Sequence, residues 1–326
     1  MTPALRKIRK FLAGPDASSA PDWGRHAVIF ARAQTLVTAF YLFSTYVLAR
    51  NFLSVQKLPG RDPEAFDAVW PASWAYVTGL DAAAVILSAL YIGAVLICLL
   101  KPGWLAARAL MSLAILQAIS FNNSWGAINH GEHAWFWVSF CLLFLPNGRD
   151  EGRRAYRTHY VSAVGGAIAI HLYFYTMSAA YKWLEALPLA VTGQFGGLSL
   201  DAMAVTLAGR HIVTDSAPLL AGLIIETPIL GWPMYLTVYY VELFAIVAFF
   251  RPALHQTWGV ILLLFHVSIM LTMQFGSPNL VALNAILLIC SPFRPETTSL
   301  RRVLRDLPVL GAIASAVDKR RAEPSG

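Results

Sequence analysis

Four residues with reactive or hydrogen-bonding side chains stand out in the stretch "HLYFYTMSAAYKWLEALP", residues 171–188: His171, Tyr175, Ser178 and Lys182. Their spacing returns to one side of an α-helix, so they form a polar stripe on an otherwise aromatic and small-apolar segment. An imidazole, a phenol and an amine can pass protons or bind oxygen-bearing ligands. An amine acts as a base near neutral pH only where desolvation disfavours its charged form. Ionisable groups facing lipid cost roughly 2.5–3.5 kcal/mol even on the lenient scale, so the stripe must face protein or water.

Other segments supply matching groups. Glu242 and His266 each fall about nine residues into an apolar run, near mid-depth if the runs cross a bilayer. Glu242 can therefore face His266 or His171, and a Glu–His or Glu–Lys arrangement would offset its charge. A second group, Gln117, Asn122, Asn123, Asn129, His130, Glu132 and His133, gathers with Lys182 at the outer ends of the runs. The sequence thus predicts two polar layers, an inner one around Glu242 and an outer one around Lys182.

Elements able to hold such layers follow from composition. Of 326 residues, 57% are hydrophobic and 13% charged, against about 25% charged in soluble domains. Charge-poor runs fall at roughly 27–48, 80–100, 105–121, 134–146, 161–181, 233–250, 257–275 and 280–292. They are continuous rather than alternating, which predicts an all-α, polytopic membrane bundle of about eight spans and excludes a β-barrel. The stretch 217–230 reads as a re-entrant or interfacial segment.

Nineteen of the 25 Lys and Arg residues fall on the side of the N-terminus and five on the other, with Arg32 inside the first span. That asymmetry predicts a multi-pass protein of the cell (inner) membrane with both termini cytoplasmic. The expected organisation is an amphipathic cytoplasmic segment over 1–26, one membrane domain over 27–292, and a basic cytoplasmic tail over 293–326. External segments run over 49–79 and 182–232. The positive charge (+7) describes this topology, and no motif indicates a nucleic-acid partner. "LRKIRKFL" and "LRRVLRDL" alternate basic and apolar faces, as in helices lying on an anionic leaflet. Cys98, Cys141 and Cys290 form no C-x-x-C pair, and no Cys/His cluster suggests a metal. Nucleotide loops, a G-x-S-x-G elbow and H-E-x-x-H are missing too.

Three local patterns carry a resemblance. "SFNNSWGAINHGEHAWFWVSFCLLFLPNG" is an Asn-rich turn with a histidine entering an aromatic span. "SAAYKWL" ends a span in small–small–x–Lys. "VELFAIVAFF" is followed by "LLLFHVSIMLTMQFG" and a span ending "CSPF". In this order they resemble the horizontally transferred transmembrane domain superfamily, which includes the membrane domain of the vitamin K-dependent gamma-carboxylase. The resemblance covers about residues 25 to 295. The carboxylase has two adjacent lysines where this chain has Tyr181–Lys182.

The resemblance implies Lys182 as the catalytic base, His133 (or His130) as its histidine, and Glu242 and His266 at the family's polar positions. Asn129, Glu132, Tyr181, Tyr175 and His171 would support the pocket. It also implies a reduced isoprenoid quinone entering from lipid, whose oxygenation drives modification of a peptide or protein substrate on the outer side. A non-catalytic factor for maturation or export of a small peptide is the alternative, with the stripe as a helix-packing device. Conduction of protons or a small solute is a third reading, disfavoured by the lack of inverted repeats.

Overall fold

The computed structural model describes residues 5–6, 11–12, 23–126, 128, 130–148, 153–214, 220–274 and 276–314. The described residues are helical, with no strand. Their contacts divide the chain into two compact units, Gly24–His171 and Met1–Trp23 with Leu172–Gly326. Five helices are long and apolar enough to cross a membrane by length and composition. The other three expected spans correspond to shorter or interrupted helices. Most of the expected N-terminal amphipathic segment, and the tail beyond residue 314, lie outside the described residues.

The first unit contains α1 (Trp23–Val55), α2 (Ala75–Leu100), α3 (Leu105–Asn123), α4 (His133–Leu142) and the start of α5 (Arg154–Val191). Its core is the α3 face of Ala107, Met111, Ala114, Ile115 and Ala118, whose small residues let α2 and α4 approach closely. Few apolar driving forces separate helices from lipid, so polar side chains specify the contacts. Ser112 Oγ and Ser139 Oγ lie 2.7 Å apart between α3 and α4. Trp135 Nε1 donates to Ser44 Oγ at 3.0 Å, fixing α4 to α1. Outward, α2 exposes Val77, Val85, Ile92 and Leu96, a surface suited to lipid. Gly79 kinks its first turn at φ 80, a left-handed backbone that favours glycine.

The second unit contains the rest of α5, then α6 (Ala202–Thr214), α7 (Ala221–Glu226), α8 (Pro228–Leu243), α9 (Ala245–Phe249), α10 (His255–Met273), α11 (Pro278–Asn284) and α12 (Leu300–Asp306). A π-helical turn, Ala285–Ile289, extends α11. The described part of the apolar stretch 217–230 forms α7 and the first turn of α8. The run at 233–250 is broken at Phe244, and the break has an identifiable staple. Thr176 Oγ1 accepts from the Ile246 N–H at 3.0 Å and donates to the Glu242 carbonyl at 3.3 Å. One hydroxyl therefore satisfies backbone groups on both sides of the interruption. At Gly259, an added Cβ would lie 2.8 Å from Leu288, so α10 touches the π-helical turn with no side chain between.

Helix α5 continues past the expected span end at 181. Trp183, Leu184, Glu185, Ala186 and Leu187 prolong it, and it closes only at Gly193, whose φ of 67 favours the left-handed turn that ends helices. Lys182 consequently sits within the helix rather than on its end.

Candidate functional site

Within the second unit, Lys182 Nζ donates to Glu242 Oε2 at 2.5 Å, joining α5 to α8. Glu242 is buried, with its side chain 5% exposed, whereas Lys182 is 35% exposed. The Lys182 ammonium also lies 6.0 Å from the centre of the Tyr239 ring. Tyr239 is held in turn by Trp183, at 5.7 Å between ring centres, and by Gly197, where any Cβ would strike its hydroxyl.

This ion pair forms part of the wall of a cavity of about 490 Å3. Met203, Met234, Val238, Leu262, Phe265 and Ile269 make its apolar lining. Beside the Tyr235 phenol, four aliphatic hydroxyls also line it, and each of the four is turned onto its own helix. Thr206 donates to the Ala202 carbonyl, Thr237 to Pro233, Ser268 to Phe265 and Thr272 to Ser268, at 2.7–2.8 Å. Once these hydroxyls bond backbone, they present mainly carbon to the cavity. Among the described residues, the cavity's charged chemistry is the Lys182–Glu242 pair alone.

A second polar group is sealed in the same unit. Asn284 Nδ2 donates to Tyr175 Oη at 2.9 Å, and Tyr175 Oη lies 2.6 Å from His266 Nε2. All three residues are buried. A further histidine, His255, is fully buried between Ser291 at 2.6 Å and the Phe249 carbonyl at 3.1 Å. Its Nε2 must donate to the carbonyl, so Nδ1 accepts from the serine.

The two expected layers are therefore rearranged. Glu242 is buried as expected for the inner layer, but its partner is Lys182, assigned by sequence to the outer layer, while His266 binds Tyr175. The prolonged α5 keeps Lys182 inside the helix, from which its side chain reaches Glu242 of α8. Tyr181, expected beside the base, is 71% exposed; it precedes Lys182 by one residue and so points about 100° away around the helix. Ser178 is exposed as well, so the stripe does not act as one surface.

His171 is fully buried and belongs to the first unit, as do His130, Glu132 and His133. His133 opens α4 and is half-buried. Asn129 lies outside the described residues. Burial pushes the Glu132 carboxyl above its usual range, opposed by a hydrogen bond from Asn122 and the charge of Arg50. The remaining outer polar residues bind structure. Gln117 accepts from Trp74 Nε1 and donates to the Pro71 carbonyl, both at 3.0 Å, and Asn122 donates to Asn51 at 3.0 Å.

Sequence reasoning passed over Thr176, Asn284 and His255. The available signal was the rule already applied to Glu242, that a polar residue inside an apolar run needs a partner. Among the described residues no His, Cys, Asp and Glu cluster could hold a metal ion. No protein-family model, curated protein or solved structure matches the chain.

Proposed function

We propose that the chain is a multi-pass protein of the cell membrane with both termini cytoplasmic, and that it works on a lipid-borne quinol or related redox-active amphiphile. The observation carrying this reading is one ion pair in the wall of a cavity whose aliphatic hydroxyls bond their own helices. An isoprenoid tail matches the methionine, leucine and phenylalanine lining, and a phenolic head would meet the Lys182–Glu242 pair. This is the chemistry that the resemblance to the carboxylase membrane domain implies.

The pair changes which group is the base. An ammonium already bound to a carboxylate has no free lone pair. It can take a proton from a quinol hydroxyl only as it passes one of its own to Glu242. Lys182 is then the relay and Glu242 the final proton acceptor, leaving an ammonium, a carboxylic acid and the quinol anion. His133 has no assigned step in this transfer.

Mass spectrometry of lipid co-purifying with the protein tests the reading. A stoichiometric quinone is expected with the native chain and is expected to be lost from Lys182→Met, whereas Lys182→Arg keeps the bound quinone but loses quinol turnover, since guanidinium cannot relay a proton. The same satisfied ion pair favours a second reading, a clamp between α5 and α8 in a non-catalytic factor for peptide maturation or export. On that reading no quinone co-purifies, and Lys182→Arg, which can still bind Glu242, retains function.

A further inference from the structure

We propose that the first unit binds the phosphate group of an anionic phospholipid in a cavity of about 680 Å3 beside Arg108. The cavity is walled by parts of α1, the end of α2, the turn at 101–104, the first turn of α3, and the start of α5.

Arg108 is only 2% exposed. Its guanidinium donates to the Gly103 carbonyl at 3.3 Å, the Leu145 carbonyl at 2.6 Å and Asn147 Oδ1 at 2.8 Å. Every acceptor is neutral, and among the described residues no Asp or Glu lines the cavity. Its Nε has no partner. Carbonyls satisfy the directional needs of a guanidinium but do not cancel its charge, and a buried, uncompensated charge is costly.

Three independent features of the cavity point to an anion. Lys101 also lines it and stands over the Trp104 ring at 5.4 Å, with no carboxylate in ion-pair range among the described residues. Tyr41, 6% exposed, lines it with a buried hydroxyl that has no partner. Helix α3 starts there with no side-chain cap on its first N–H groups, and such groups favour an anion. A phosphodiester would accept from Lys101 and the uncapped first N–H groups of α3, and reaches the Tyr41 hydroxyl and the Arg108 Nε–H, both closed to solvent, once the lining side chains part around it. Leu42, Leu99 and Leu100 line the same cavity and are all more than half exposed, which offers acyl chains a route out to lipid. That apolar exit favours a lipid headgroup over a soluble phosphate.

The test uses the full chain in a neutral detergent, with native mass spectrometry and thermal unfolding. Phosphatidylglycerol and inorganic phosphate are added in separate titrations. Phosphatidylglycerol is expected to remain bound and to raise the melting temperature with dose, and inorganic phosphate to act only at far higher concentration. Lys101→Gln and Tyr41→Phe leave the carbonyl bonds of Arg108 in place. Each is expected to weaken phosphatidylglycerol by about tenfold, the change for one lost charge-assisted hydrogen bond. An equal response to inorganic phosphate, sensitive to both substitutions, overturns the lipid as the source and retains the anion site. Phosphatidylglycerol binding unchanged in both variants, or no response to either probe, overturns the site itself.

Discussion

Arg108 in the first unit and Lys182 in the second are both cations set among apolar helices, but their neighbours differ in kind. Lys182 meets a carboxylate, so the pair carries no net charge. Arg108 meets two carbonyls and an amide oxygen, so its hydrogen bonds are largely filled while its charge stays. Hydrogen-bond satisfaction and charge neutralisation are thus separate requirements, met together at one site and apart at the other. A neutral pair suits internal proton movement, and a retained charge suits recruitment of an anion.

The sharpest break in this comparison is Lys182→Met. It leaves Glu242 buried without its cation, and a loss of about 3 kcal/mol is expected. That figure is at the low end for buried pairs because Lys182 is 35% exposed and solvent screens it. Equilibrium unfolding in detergent measures it, and Lys182→Met with Glu242→Gln should recover most of the loss if the penalty is one of charge. Additive losses in the double variant would contradict the paired reading.

Arg108→Met should cost about 2 kcal/mol, by stranding buried acceptors rather than a charge. Among the described residues no acidic partner lines its cavity for a second substitution to neutralise. Arg108→Lys should recover little, since one ammonium cannot reach the spread of acceptors that the planar guanidinium holds. Full recovery by lysine would show that charge, not geometry, is what the site requires.

Tyr175→Phe removes the hydroxyl shared by Asn284 and His266. A loss of about 1.5 kcal/mol is expected, with the Lys182–Glu242 coupling unchanged in a double-mutant cycle. Coupling between the two groups would merge what the geometry separates.

The smallest effect concerns pH. Burial raises the folded-state pKa of Glu132, so the folded chain favours the protonated acid. This contribution is complete below the ordinary carboxylate range and is lost as pH rises through the raised value. Thermal unfolding across that interval should show native stability declining relative to Glu132→Gln by a few tenths of a kcal/mol, discounted because Glu132 is half-buried. A slope unchanged by the substitution would remove Glu132 as its source.

Residue types alone made the helical, membrane-compatible class legible, because long charge-poor runs leave few other solutions. They also singled out Lys182, Glu242, Tyr175 and His266. Partner choice was not legible. It depended on where α5 ends, and the helix runs through Pro188, which reads in sequence as a stop, and closes only at Gly193. Arg108 was hidden for a different reason. A basic residue beside a short loop reads as a topology signal, and its burial against the 145–147 carbonyl turn comes from contacts distant in the chain. Asn284 and Thr176 are small polar interruptions whose value emerges only once a particular helix stands opposite.

Thr176 gives the Glu242 carboxylate a fixed bearing. Its hydroxyl spends its proton and a lone pair on the two edges of the α8–α9 interruption, so that joint behaves as a bracket rather than a hinge. Glu242 stands on the last turn before the joint, and its aim towards Lys182 is inherited from the bracket angle. The bearing of the Glu242 carboxylate towards Lys182 is therefore supported by a residue that bonds neither side chain.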